Sequence, residues 1–256
     1  MRALHDLTPM NPTLQQIIAA SLLGGFLSMA IAVLVTFRLP QRWLTRMVSF
    51  SAGLLLSIAL LDLMPEALKE GMTSDRLFQI FLIGVLLFFA FEKIFLSEHF
   101  HGRQGEVEAL SRPIPVILFG SALHIWTDGL TLAAAFLTDT KLGWGMTFAI
   151  IAHEIPREGG DFSLLFAAGW NHKKALLWNS ISRLGCVAGG IMGYFMLEGA
   201  RSWIAPVLAL AAASFTYISL AGLMPWIRSE RGGFAWHGVF MAAGVAIVPL
   251  SAKMFA

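Results

Sequence analysis

The chain has 256 residues, 57% of them hydrophobic and only 13% charged, with a formal net charge of +2. Soluble domains carry roughly 25% charged residues, so the composition excludes a disordered chain and, with no basic run, a nucleic-acid binder. One cysteine, Cys186, excludes an internal disulfide and a cysteine-rich zinc site. What remains is an all-α integral membrane protein, expected as a single transmembrane domain over residues 1–256.

A spanning helix needs ~20 mainly apolar residues. The apolar runs divide into eight such segments, about 15–37, 47–68, 77–96, 113–138, 142–171, 175–198, 202–227 and 234–254. The first is long enough to span and lacks an early basic region beyond Arg2, so it is expected to stay as a helix rather than be cleaved as a signal peptide. Lys and Arg counts in the loops orient the spans. The side holding both termini carries six (Arg2, Lys69, Arg76, Lys141, Arg201, Lys253) and the other ten (Arg38, Arg42, Arg46, Lys93, Arg103, Arg112, Lys173, Lys174, Arg228, Arg231). Both termini are therefore expected outside the cytoplasm.

Residues 59–66 read ALLDLMPE and residues 219–226 read SLAGLMPW. The shared Leu-Met-Pro falls in the second and seventh spans, which run in opposite directions, as in inverted-repeat transporters. Spans 1–3 and 6–8 would then be the repeats, with four and five between them.

Charge inside the spans is concentrated. Spans one, seven and eight carry none in their apolar cores, whereas the fifth holds His153, Glu154, Arg157, Glu158 and Asp161 within nine residues. Each charge at a helix centre costs roughly 2.5–3.5 kcal/mol facing lipid, so these groups must face protein, water or an ion. His124 and Asp128 of the fourth span are four apart and share a face. His124 and His153 are each twelfth in their span, which puts them at one depth near mid-membrane. Imidazoles with carboxylates suit zinc and its first-row neighbours. Pro156 leaves a carbonyl near His153 without its helical donor, and that carbonyl is expected to face a cation.

At these residues the sequence resembles the ZIP family of divalent-metal transporters. HIWTDG (124–129) is similar to the fourth-helix motif HNxxDG, and HEIPREGGDF (153–162) to the fifth-helix motif HEIPxExGD. LLDLMPEA (60–67), Asn179 with Ser182, and SFTYISLAGLMP (214–225) resemble patterns of the second, sixth and seventh helices. The resemblance implies eight helices in a 3+2+3 arrangement with inverted repeats, and uptake of zinc or a similar dication (Cd2+, Fe2+, Mn2+) across the cell membrane towards the cytoplasm. It also implies His124, Asp128 and His153 as primary ligands, and Glu154 at a neighbouring second metal position. Two residues depart from the pattern. Ile125 stands where the motif has Asn, and Arg157 where many members have a residue bridging two metals. A guanidinium has no acceptor for a metal. One metal is therefore expected, with Arg157 supplying the second positive charge and pairing with Glu154 or Asp128. Ser57-Ile58 also stands where the family has a small residue and Asp.

Asp62, at the position of the family's His, and Glu66 read either as a cation entrance or as an ordinary helix end. Glu158 and Asp161 read as an exit, or Asp161 as an ion-pair partner of Arg183. His99 and His101 read as a solvated loop, and His172 and His237 as interfacial. Exposed small residues would permit a homodimer. Two rival functions remain. HEIPR partly matches the metallohydrolase pattern HExxH, but Arg157 replaces the second His. The other rival is a membrane protein that holds a metal without moving it.

Overall fold

The computed structural model describes residues 11–38, 41–97, 114–167, 169–223 and 234–254, all folded as helices and the short turns between them. His99, His101, Met224, Pro225 and the basic residues at 228 and 231 lie outside these ranges. Eight rods follow in order. Rod α1 (12–38) joins Pro12–Leu22, Leu23–Leu27 and Ser28–Arg38; α2 (41–69) joins Gln41–Ser57, Ile58–Leu63 and Met64–Lys69. Then come α3 (Ser74–Ser97), α4 (Ile114–Thr138), α5 (Thr140–Ala167) and α6 (His172–Glu198). After the 3-10 turn Arg201–Trp203, α7 (204–223) joins Ile204–Tyr217 to Ile218–Leu223, and α8 is Phe234–Met254.

Polar caps set where the rods begin. Asn11 Oδ1 accepts from the Thr13 N–H at 2.9 Å ahead of Pro12, and Asn171 Oδ1 accepts from the Lys174 N–H at 2.9 Å. The turn from α4 to α5 is the single residue Asp139, whose Oδ1 accepts from the N–H groups of Lys141 and Leu142 at 2.8 and 3.1 Å. The fifth rod stops at Ala167 rather than at 171, and Gly169, at φ 83°, turns the chain towards α6. Rod α2 starts six residues before its apolar run, because a polar first turn is still helical; there Arg46 lies over the Trp43 and Trp236 rings at 4.9 and 5.2 Å.

Three rods contain a π-helical stretch, in which the ladder widens to i→i+5. In α2 the Met64 N–H donates to the Ala59 carbonyl just ahead of Pro65. The stretches Ile58–Leu63 and Ile218–Leu223 each end on the Leu of the repeated Leu-Met-Pro.

Four helices are long and apolar enough to cross a membrane among the described residues: Pro12–Val35, Thr45–Lys69, His172–Glu198 and Arg201–Ala221. The outer surface is apolar too. Phe78, Leu82, Leu86 and Phe89 of α3, and Leu177, Leu184 and Phe195 of α6, stand more than half exposed, a surface that a bilayer covers.

The tightest packing that positions the site is between α4 and α6. A Cβ on Gly129 would overlap the Cys186 carbonyl, and one on Gly189 the Trp126 carbonyl. Backbones this close allow no side chain between them. Gly189→Val is expected to lower the melting temperature in detergent by several degrees, corresponding to about 1–3 kcal/mol of overpacking. Gly238→Ala, into open space, is expected to leave it unchanged.

Candidate metal centre

On α4, His124 and Asp128 stand one helical turn apart; on α5, His153 and Glu154 reach the same depth. Asp128, His153 and Glu154 are buried, and His124 is half-buried. His124 Nε2 lies 3.3 Å from His153 Nε2, 3.6 Å from Asp128 Oδ2 and 3.5 Å from Glu154 Oε1. His153 Nε2 lies 3.4 Å from Asp128 Oδ2 and 3.6 Å from Glu154 Oε1. These are five of the six edges of a tetrahedron, and all four atoms fall within 4.8 Å of one another. Tetrahedral zinc, with bonds of about 2.0–2.1 Å, spaces its ligand atoms about 3.3–3.4 Å apart. The four atoms are set nearly at that spacing.

Protonation fits a cation as well. His153 Nδ1 sits 2.9 Å from the Ala149 carbonyl, which can only accept, so Nδ1 carries a proton and, in the neutral ring, Nε2 presents its lone pair. Phe215 packs on the same ring, 5.4 Å between centroids. Asp128 Oδ2 is buried with no hydrogen-bond partner among the described residues. A buried carboxylate oxygen whose nearest polar neighbours are two imidazole nitrogens, at 3.4 and 3.6 Å, is well placed to join a cation. A cavity of about 40 Å³ reaches Asp128 between α4 and α7, lined by Thr127, Thr131, Ser214 and Phe215.

A family model described as "ZIP Zinc transporter" matches residues 104–252, more than half of the chain. The chain belongs to the ZIP zinc transporter family. Zinc transporter ZIP13 of Pongo abelii is 30% identical over 230 residues, 81% of this chain and 66% of that protein. Zinc transporter foi of Drosophila melanogaster is 34% identical over 150 residues, and zinc transporter ZIP4 of Homo sapiens 33% over 142. These matches take in 57% and 53% of this chain but only 21% and 22% of the two relatives. Membership makes the chain a multi-pass membrane protein of a transporter family.

Beyond the four clustered atoms this ZIP protein differs from its sequence-based expectations at several side chains. Arg157 does pair with Glu154, as a fork: Nε to Oε1 at 2.5 Å and Nη2 to Oε2 at 2.7 Å. Its Nη1 reaches Ser121 Oγ at 2.9 Å and Asp161 Oδ2 at 3.1 Å. Asp161 therefore pairs with Arg157, not with Arg183. Arg183 turns instead to Glu154 Oε2 and to Glu158 Oε1, the latter at 2.8 Å. The carbonyl that Pro156 deprives of a helical donor belongs to Ala152, and Ser51 Oγ of α2 donates to it at 2.8 Å instead. His237, near the start of α8, is buried, with Nδ1 2.8 Å from Ser49 Oγ. His172 is exposed at the start of α6, beside the Phe166 ring. Ile125, at the motif's Asn position, is fully packed in the apolar core. Asp62 sits half-buried in the π stretch of α2, and Glu66, one turn on, pairs with Lys69 at 2.8 Å. Neither belongs to the four-residue cluster.

Proposed function

We propose that this chain carries a divalent cation, zinc before cadmium, iron or manganese, across the cell membrane towards the cytoplasm. The ion binds at mid-membrane to His124, Asp128, His153 and Glu154. The observation that carries this reading is the buried tetrahedron of two imidazole nitrogens and two carboxylate oxygens, matched in spacing to zinc. The relatives' names, all zinc transporters, favour the same ion.

The site takes one ion rather than two. Asp128 and Glu154 together carry two negative charges, which one dication neutralises. Glu158 and Asp161 carry two more, and Arg157 and Arg183 cancel them on the spot. No net negative charge remains for a second dication, and Ile125 offers no ligand atom. Asp62 and Glu66 stand at the end of α2 that the loop charges place outside, where they draw cations in. Glu158 and Asp161 lie on the cytoplasmic side, where the ion leaves once the guanidinium pairs yield.

Movement follows the alternating access of inverted-repeat transporters, with rods α1–α3 and α6–α8 as the repeats around α4 and α5. Two features support that pairing. The π stretches of α2 and α7 fall at the same register of the repeated Leu-Met-Pro. Rod α3 packs on α7 as α8 packs on α2, which exchanges the members of the two halves. A protein that holds a metal without moving it is the second reading, and Arg157 favours it by closing the cluster on the cytoplasmic side.

Uptake of zinc by proteoliposomes decides between them. Wild-type protein is expected to admit zinc at least tenfold faster than protein-free vesicles, with the rate falling to background in His124→Ala. Wild-type vesicles that take up none of zinc, cadmium, manganese or iron contradict transport.

A further inference from the structure

Glu154 is held more tightly than a metal ligand needs to be. A carboxylate offers about four lone-pair positions. The Arg157 fork takes one on each oxygen, and Arg183 Nη1 takes the second on Oε2. A single position is left, on Oε1, the oxygen that faces His124 and His153. We propose that Arg157 and Arg183 together clamp Glu154 as a one-oxygen ligand, and so make them the residues that set the site's preference for zinc over larger dications.

The clamp is built from four rods. Arg157 is fixed by Ser121 of α4 and by Asp161 on its own rod α5. Arg183 of α6 is wholly buried, and its stem fits because α1 has glycine opposite: a Cβ on Gly25 would meet the Arg183 Cβ at 3.3 Å. Ser28 Oγ of α1, which also reaches the Gly25 carbonyl at 3.0 Å, lies 3.3 Å from Glu158 Oε1, the second carboxylate on Arg183. Arg183 cannot swing aside without leaving the buried Glu158 unpaired, and Arg157 cannot without giving up Asp161 and Ser121.

The chemical consequence concerns ion size. Zinc is satisfied by four ligands in a tetrahedron, and the cluster supplies four. Cadmium is larger and gains from further oxygens, which a carboxylate supplies by turning both oxygens onto the ion. The fork occupies the two lone pairs that such chelation uses. Geometry and donor number decide between divalent ions that compete for the same ligand types, so the clamp acts on the ratio of affinities.

The test is a competition between zinc and cadmium on the purified full chain in detergent, comparing wild type with Arg157→Lys, Arg183→Lys and the double variant. Lysine keeps the charge but cannot fork. The clamp predicts that the zinc-over-cadmium affinity ratio falls at least tenfold in Arg157→Lys and further in the double variant. A role in packing alone would weaken both ions in parallel, so an unchanged ratio in all three variants overturns the proposal. Zinc-edge absorption on the wild type needs no variant to fold. Four nitrogen and oxygen ligands without a second Glu154 oxygen are expected, and five or more with a chelating carboxylate overturn the clamp. The inference rests on the cluster being the metal site, and His153→Ala separates the two claims. Affinity lost in that variant, with the ratio unchanged in the lysine variants, sinks only the clamp. Affinity kept in His153→Ala sinks the site itself.

Discussion

Replacing His153 by alanine is expected to abolish zinc binding and uptake while leaving the chain folded. Its Nε2 makes two edges of the ligand tetrahedron to Asp128 and Glu154 and a third to His124. Its Nδ1 is tied to the Ala149 carbonyl, so the ring is oriented before any ion arrives. Altering the groups that merely orient a metal ligand weakens metal sites about 10–100-fold; losing the ligand itself should cost more than about 100-fold in affinity. The fold is expected to survive the change, because the ion pairs of Glu154 with Arg157 and Arg183 do not involve the ring. Isothermal titration with zinc and a melting curve on the same preparation check both halves of the expectation.

Glu154→Ala is expected to behave differently, although Glu154 belongs to the same cluster. Its carboxylate is the shared partner of Arg157 and Arg183. Removing it takes one carboxylate from each guanidinium, leaving Arg157 to Asp161 and the wholly buried Arg183 to Glu158 alone. Breaking a buried ion pair by deleting one partner costs about 3–5 kcal/mol. The variant should therefore lose stability in the metal-free state, where His153→Ala does not. Comparing the two variants without metal separates ligand loss from network loss. A Glu154→Ala protein that melts with the wild type would show that the arginines find other partners.

Much of this site was legible in the sequence, and the reason is helical geometry. His124 and Asp128 four apart must share a face, and two spans read to the same depth must bring His124 and His153 to one level. Five ionisable groups within nine residues of an apolar span admit few explanations. The spacing of ligands along each rod was therefore readable, and the cluster of four follows it. What was not readable is how each rod is rotated about its axis relative to rods distant in sequence. Asp161 and Arg183 looked like partners because both are charged and deep. The rotation of α6 instead brings Arg183 to Glu154 and Glu158, and that rotation depends on glycines of α1 and α4 meeting α6. Nothing in a residue's own neighbourhood states which backbone it will touch.

The same limit explains Ala152 and His237. Pro156 announces a carbonyl without a donor, but Ser51, about a hundred residues earlier in the chain, is what satisfies it. His237 stands at the end of an apolar run, where a sequence pattern reads as interface. The helix packs it against Ser49 of α2. The π stretches are a subtler case. Leu-Met-Pro repeated at 63–65 and 223–225 marked the two places, but a widened ladder leaves no mark in periodicity over six residues. A proline shortly after these two stretches is the one signal available, and Leu23–Leu27 of α1 lacks even that.

The claim on which the rest depends is that one ion sits at the centre of the four-atom tetrahedron. Anomalous scattering at the zinc edge, from crystals of the full chain grown with zinc, tests it most directly. The expected result is one peak between α4 and α5, about 2.0–2.1 Å from His124 Nε2, His153 Nε2, Asp128 Oδ2 and Glu154 Oε1. Two peaks between these helices, or a single peak that leaves out either histidine, would contradict it.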